Sequence, residues 1–273
     1  MIREITFGQY YAADSPIHRL DPRIKLFGTL IYIISLFVAN NIVSYAVAAL
    51  FLGIIIIIST VPVKFILKGL KPILFILLFS VAFNAVLTNG EHVLAKWGVF
   101  VISTEGLIRA AYMGARLIML IMGSSLMTYT TTPNELTDGL EKSLGFLRKI
   151  NIPVHEMAMM MSIALRFIPI LIEETDKIMK AQMARGADFE NGNIIHRVKS
   201  MVPLLIPLFV SAFRRASDLA MAMEARCYHG GEGRTKMKPL QYKRADYTGY
   251  IIVLVYFAVI IATRILFKNV LHF

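Results

Sequence analysis

The sequence predicts an all-α, polytopic membrane protein. Of its 273 residues, 56% are apolar, which exceeds the ~45 to 50% of a typical soluble domain. Five long apolar runs occur along the chain, and the stretch 54–58 is isoleucine throughout, so that part of the helix is apolar on every face and belongs in lipid. The net charge of +11 then reflects an excess of Lys and Arg on the cytoplasmic side, and nucleic acid is not expected as a partner.

About five transmembrane helices are predicted, each from one of these runs. In the first, Asp21 is expected to cap the helix and Pro22 to occupy its first position, where a missing N–H costs nothing. The predicted spans are residues 24–39, 42–61, 72–87, 106–129 and 247–267.

The distribution of positive charge orients these spans. Seventeen lysines and arginines lie between residues 130 and 246, whereas the loop 88–105 carries only Lys96. The positive-inside rule therefore places the amino terminus and residues 130–246 in the cytoplasm. The chain divides into a membrane part (1–129, with a cytoplasmic amino-terminal segment), a cytoplasmic part (130–246) and a last span within 247–273.

The cytoplasmic part is predicted to form three helices, over residues 133–149, 154–184 and 194–226. Pro169 is expected to kink the second helix near Arg166, and Pro203 and Pro207 are expected to interrupt the third. Residues 154–172 are long enough to cross a membrane, but their charges favour a helix on its surface. Charge counting does not distinguish five spans from seven, because two added crossings preserve the topology.

Two similar segments end the second and third of these helices. KAQMARGADF contains Ala184-Arg185-Gly186, and AMEARCYHGG contains Ala225-Arg226-Cys227. An arginine at a helix end complements the negative end of the helix dipole and presents five donors outward. Taken singly, such an arginine is usually a solvated dipole partner. Two copies predict two similar acidic sockets on other proteins.

The fourth span carries a second group of candidate residues. Arg109 and Arg116 lie on one helical face together with Gly114 and neighbouring alanines. This face could contact another subunit; alternatively, Arg109 extends to the interface and Arg116 pairs with a carbonyl inside the bundle. Most of the fifteen methionines lie between Met119 and Met223, either as adaptable partner contacts or as packing residues.

The sequence contains no complete catalytic or metal-binding motif. Cys227 is the single cysteine, so a zinc site built on several thiolates is excluded. His155-Glu156 begins like a metalloprotease motif, but Met159 occupies the position of the second histidine. The glycines at 230–233 lack the spacing and lysine of a phosphate-binding loop. We expect no cofactor in this chain and no catalysis by it.

Four segments together, HRLDPRIKL, SIALRFIP, QMARGADF and MEARCYHGGEGRT, resemble the transmembrane T component of energy-coupling factor transporters, the vitamin and metal importers of prokaryotes. The resemblance covers the chain from Ile5 to the last span. It differs at Cys227, where the family pattern more often has glycine.

The resemblance implies a noncatalytic coupling subunit in the prokaryotic cell membrane. Its expected partners are two ATP-binding-cassette ATPases, which bind ATP and Mg, and a small membrane-embedded capture subunit that binds the substrate. It also implies that Arg185 and Arg226, with their flanking residues, enter grooves on the ATPases.

A self-contained secondary transporter or channel is the alternative from another class. Such a protein should carry acidic residues or broken-helix ion sites at mid-membrane, whereas the five predicted spans contain no Asp or Glu. A membrane-embedded enzyme ranks below it, because no nucleophile and base are paired.

Overall fold

The computed structural model describes residues 10–87, 93–97, 100–187, 189, 194–231, 237 and 239–266. These residues form nine α-helices: α1 Pro22–Val38, α2 Ile42–Ser59, α3 Val63–Leu70, α4 Leu74–Leu87, α5 Thr104–Thr130, α6 Pro133–Ser143, α7 Val154–Ala184, α8 Ile194–Ala225 and α9 Arg244–Leu266. A 3₁₀ helix, Leu144–Ile150, follows α6. The all-α class is confirmed.

A short antiparallel hairpin between α4 and α5 was not predicted. Its strands are β1, Val93–Trp97, and β2, Phe100–Ser103, with Trp97 opposite Phe100. The predicted loop over residues 62–71 is also partly helical, since α3 lies there.

The described residues fall into two compact units. The bundle unit contains residues 10–140 and 240–266, and the two-helix unit contains residues 141–239. The chain thus passes from the bundle unit to the two-helix unit at Leu140 and returns at Leu240.

The described residues include four helices that are long and apolar enough to cross a membrane: Ile42–Ser59, Thr104–Thr130, Val154–Ala184 and Arg244–Leu266. A fifth candidate is the pair Val63–Leu70 and Leu74–Phe83, bent by 61°. The protein is a multi-pass membrane protein, as predicted. The set differs from the prediction at two helices: α7 is included, and α1, which has 17 residues and is shorter than each of the four, is not.

Local capping explains where several helices begin. The Asp21 carboxylate accepts from the backbone N–H of Arg23 at the start of α1, and Pro22 is the first helical residue, as predicted. At α9 the Asp246 carboxylate accepts from the N–H of Lys243, which starts this helix three residues before the predicted span. At α6, Thr132 and Glu135 form a reciprocal capping box.

Within the bundle unit, α1 packs antiparallel against α5. A methyl group on Gly123 would lie 2.6 Å from the Tyr32 ring, so these helices approach closely only because position 123 is glycine. Nearer the start of α1, Lys25 Nζ donates to the carbonyl of Thr130 over 2.8 Å. The adjacent core contains Phe51 stacked on Tyr256 at 4.0 Å.

The three prolines lie inside continuous helices. Pro169 is within α7, and Pro203 and Pro207 are within α8, so both helices continue through their prolines over nearly the predicted residues. Long helices retain most of their hydrogen bonds on either side of a proline, which explains the continuity. Whether each helix bends at its proline stays a prediction.

Candidate functional site: two arginine-bearing helix ends

The two predicted arginine motifs end α7 and α8 with the same backbone geometry. After α7, the N–H of Gly186 donates to the Met183 carbonyl and the N–H of Ala187 to the Gln182 carbonyl, both over 3.0 Å. This pair of bonds defines a Schellman motif, in which the residue after the cap has a left-handed backbone. Gly186 has that conformation, with φ of 89°.

The end of α8 repeats this arrangement. The N–H of Cys227 donates to the Glu224 carbonyl over 2.8 Å, and that of Tyr228 donates to the Met223 carbonyl over 3.0 Å. Cys227 has a φ of 55° and so takes the left-handed position that glycine takes after α7. Cys227 departs from the glycine that the family more often has, yet the helix ends there in the same way, because the two hydrogen bonds hold the left-handed backbone on a cysteine.

Both arginines are exposed at these ends, directly before the left-handed residue. Ala184, Arg185 and Gly186 are exposed, as are Ala225, Arg226 and Cys227. Among the residues that the structure describes, neither guanidinium has an ion-pair partner.

An ion pair that the sequence analysis missed joins the two helices behind these ends. Arg215 on α8 donates to the carboxylate of Glu174 on α7 over 3.1 Å, and both side chains are partly buried. Glu174 precedes Arg185 by eleven residues, and Arg215 precedes Arg226 by eleven. The contact therefore lies about 16 Å before each arginine along its helix. The equal offsets from Arg185 and Arg226 were the available sequence signal.

The short connection between α7 and α8 limits the relative direction of the two helices at this contact. α7 ends ten residues beyond Glu174, and α8 begins 21 residues before Arg215. If the helices ran parallel through this contact, Ala184 and Ile194 would be about 46 Å apart. Ten residues reach at most about 36 Å, so the helices do not run parallel and their arginine ends diverge from the contact.

The segment that follows Arg226 packs against the start of α7. A methyl group on Gly231 would lie 2.2 Å from the His155 ring, so only glycine fits there. The other side of this ring is held by Glu141, whose carboxylate lies 2.8 Å from His155 Nδ1. The metalloprotease-like His155 is thus a packing residue in this structure. No group of three or more metal-ligating side chains occurs among the described residues.

In the bundle unit, α5 positions the second candidate group. Arg116 Nε donates to the Tyr45 hydroxyl over 2.8 Å, and its guanidinium also reaches the Ala39 carbonyl at 3.4 Å. A methyl group on Gly114 would lie 3.1 Å from Val81, so Gly114 faces α4. These contacts are those of the packing alternative. Arg109 is exposed, and a partner contact there stays a prediction.

Comparison with known proteins assigns the chain to a family. A family model described as the cobalt transport protein CbiQ matches residues 13–237, which include both arginine ends. The energy-coupling factor transporter transmembrane protein EcfT of Clostridium kluyveri is 53% identical over 266 residues, or 97% of this chain and 98% of the relative. The chain belongs to this family. It is the transmembrane component of an energy-coupling factor transporter.

Other members of the EcfT family are similarly close. The protein of Ruminiclostridium cellulolyticum is 54% identical over 246 residues, covering 90% of this chain and 92% of the relative. That of Bacillus subtilis is 47% identical over 261 residues, covering 96% and 98%. Each alignment extends over both units of the fold.

Proposed function

We propose that this chain couples ATP hydrolysis by two ATP-binding-cassette ATPases to uptake of a vitamin or other micronutrient. The supporting observation is the matched pair of exposed arginines, Arg185 and Arg226, each ahead of a left-handed residue at a helix end. Two equivalent ends suit two related ATPases. ATP and Mg bind those subunits, and this chain binds no cofactor.

Each arginine acts as an anchor in an acidic groove, and the helix behind it acts as a lever. A guanidinium forms strong, bidentate hydrogen bonds with carboxylates. The arginine therefore stays bound to its groove whether the ATPase moves toward the helix or away from it. The Glu174–Arg215 contact lies equally far from both anchors and serves as their pivot. When ATP brings the ATPases together, the two ends move with them and the crossed helices rotate about this contact.

The substrate is carried by a separate membrane-embedded capture subunit in this proposal. α7 and α8 expose many large apolar side chains that such a subunit could cover: Met157, Met160, Met161, Leu205, Ile206, Phe209, Val210 and Phe213. Methionine side chains adapt to different surfaces, which would allow interchangeable capture subunits. In the bundle unit, a cavity of about 690 Å³ between α2 and α5 has no charged lining residue, which also favours substrate binding on the partner.

Charge reversal at the two ends tests the docking. Arg185→Glu and Arg226→Glu should each weaken capture of the ATPases, because a carboxylate facing an acidic groove repels it. The double variant should abolish capture in a pull-down from detergent extracts. Arg148→Glu is the matched control, since Arg148 is an exposed arginine of the same unit. Unchanged capture of both ATPases by the double variant would refute the docking role.

A further inference from the structure

The chain passes between its two units at residues 140 and 240, and the bundle unit holds both passages at the first turn of α1. We propose that Asp21-Pro22-Arg23 is the joint through which movement of the two-helix unit reaches the membrane helices. Arg23 is then a positioning residue that acts through Leu240. This inference rests on the proposed coupling function for its purpose, but its contacts lie within the bundle unit.

The outgoing passage is held by close packing. α6 leads out of the bundle unit, and its buried Gly139 faces the start of α1. A methyl group at Gly139 would lie 3.0 Å from Pro22 Cβ and 3.3 Å from both the Pro22 carbonyl carbon and Leu26 Cδ1. The backbone at Gly139 therefore runs close to the first turn of α1, because a glycine has no side chain to hold the two helices apart. In this proposal, movement of α6 carries the first turn of α1 with it.

The returning passage is held by the side chain of Arg23. Its guanidinium donates to the Leu240 carbonyl over 3.3 Å and lies over the Tyr242 ring at 3.9 Å. The same guanidinium is paired with the Asp21 carboxylate at 3.0 Å. One side chain thus ties the returning segment to the helix cap.

A buried carboxylate extends this tie into α9. Asp246 is 2% exposed; one of its oxygens accepts from the Asp21 N–H over 2.8 Å, and the other accepts from the Lys243 N–H over 2.7 Å. Asp21 is 7% exposed. Buried charges that lose a hydrogen-bond partner are strongly destabilised, so these bonds resist opening. The starts of α1 and α9 therefore move as one body with both passages.

A joint, unlike a contact that only stabilises the fold, must transmit the nucleotide-dependent movement of the two-helix unit to α1. In a complex of the full chain with its two ATPases in lipid nanodiscs, replacing ADP with ATP and Mg should change hydrogen exchange in α1 and at residues 240–247. Arg23→Gln and Gly139→Leu should reduce this nucleotide-dependent change by at least about fivefold, the lower end of typical coupling between sites. ATPase capture and ATP hydrolysis should persist, since the arginine ends are intact.

Matched controls are available for both variants. Arg19→Gln removes an exposed guanidinium paired with Asp14 at 2.6 Å, outside the joint. Gly145→Leu adds a side chain where no atom lies within 4 Å. Both controls should keep the wild-type change. If Arg23→Gln or Gly139→Leu fails to fold, Arg23→Lys and Gly139→Ala take their places.

A second readout uses the chain without ATPases. Arg23→Gln should lower the hydrogen-exchange protection of residues 240–247 roughly tenfold, as expected when a charge-assisted hydrogen bond is lost. If hydrogen-exchange protection of residues 240–247 is unchanged in Arg23→Gln, the proposed joint is wrong, even if Arg185 and Arg226 do bind the ATPases. A full nucleotide-dependent change in Arg23→Gln also overturns it, as does an equal loss in the controls. If Arg185→Glu combined with Arg226→Glu leaves ATPase capture unchanged, only the docking proposal is refuted, and the joint is not affected.

Discussion

Cys227 occupies the backbone position after α8 that Gly186 occupies after α7. A left-handed conformation costs an L-residue roughly 1 to 2 kcal/mol, whereas glycine adopts it freely. The two closing hydrogen bonds of the Schellman motif offset this cost at Cys227. The thiol of Cys227 is exposed and takes no part in these hydrogen bonds. Mutation can therefore test the effect of the side chain separately from the effect of the backbone strain.

Substitution with glycine should relieve the strain. We expect Cys227→Gly to raise the free energy of unfolding by about 0.5 to 1 kcal/mol, the strain relieved less the added chain entropy of glycine. Thermal loss of helical circular dichroism in detergent measures this. Cys227→Ala removes the thiol but keeps the strain, and it should match the wild type. A Cys227→Gly protein that melts no later than Cys227→Ala contradicts the prediction.

At the scale of helices, the important contact is the one between α7 and α8. Residues 174 and 215 each lie eleven positions before the arginine at the end of their helix, and their ion pair joins the two helices at this point. A shift of the crossing along either helix would make the two lever arms unequal. The pair is only partly buried, so its direct contribution to stability is small, at about 1 kcal/mol or less.

Exchanging the two charges tests this register. Glu174→Arg should weaken binding to the ATPases, because two guanidinium groups would face each other at the crossing and displace the arginine ends. Combining it with Arg215→Glu should restore the ion pair and most of the affinity, giving a coupling energy of about 1 kcal/mol in a double-mutant cycle.

Binding of detergent-solubilised chain to immobilised ATPases provides the affinities. Asp218→Arg is the control, since Asp218 is exposed on α8 and has no ion pair within the described residues. Additive losses in the charge-exchanged protein would show that the crossing does not depend on this pair.

At the scale of the whole molecule, the proposed function requires the two arginine ends to lie on the cytoplasmic side of the membrane. Apolar length identifies α7 as able to cross, whereas the charge distribution favours a surface position. If the proposed function is correct, the segments after both arginines face the cytoplasm, where ATP is available.

Thiol labelling distinguishes these arrangements. In a Cys227→Ser background, Ala187→Cys and His229→Cys should react with a membrane-impermeant maleimide only in inside-out vesicles, and bound ATPases should protect both. Asn89→Cys, at a position outside the described residues, should react only from the opposite side, because its loop carries few positive charges. Reaction of Ala187→Cys from outside would exclude a cytoplasmic coupling role.

The sequence by itself determined the features that depend on near neighbours along the chain. The apolar runs predicted most helices, Asp21 and Pro22 predicted the start of α1, and the repeated Ala-Arg segments predicted two similar helix ends. Capping and dipole effects act within about one turn, so one segment contains all the information they need. The family resemblance rests on the same local segments.

Only the tertiary structure decided the features that join distant segments. The Glu174–Arg215 pair joins residues 41 positions apart. Arg23 contacts Leu240 across an even longer separation. Each contact requires two elements to fold into register before its energy is gained, so the pattern of either segment alone does not reveal it.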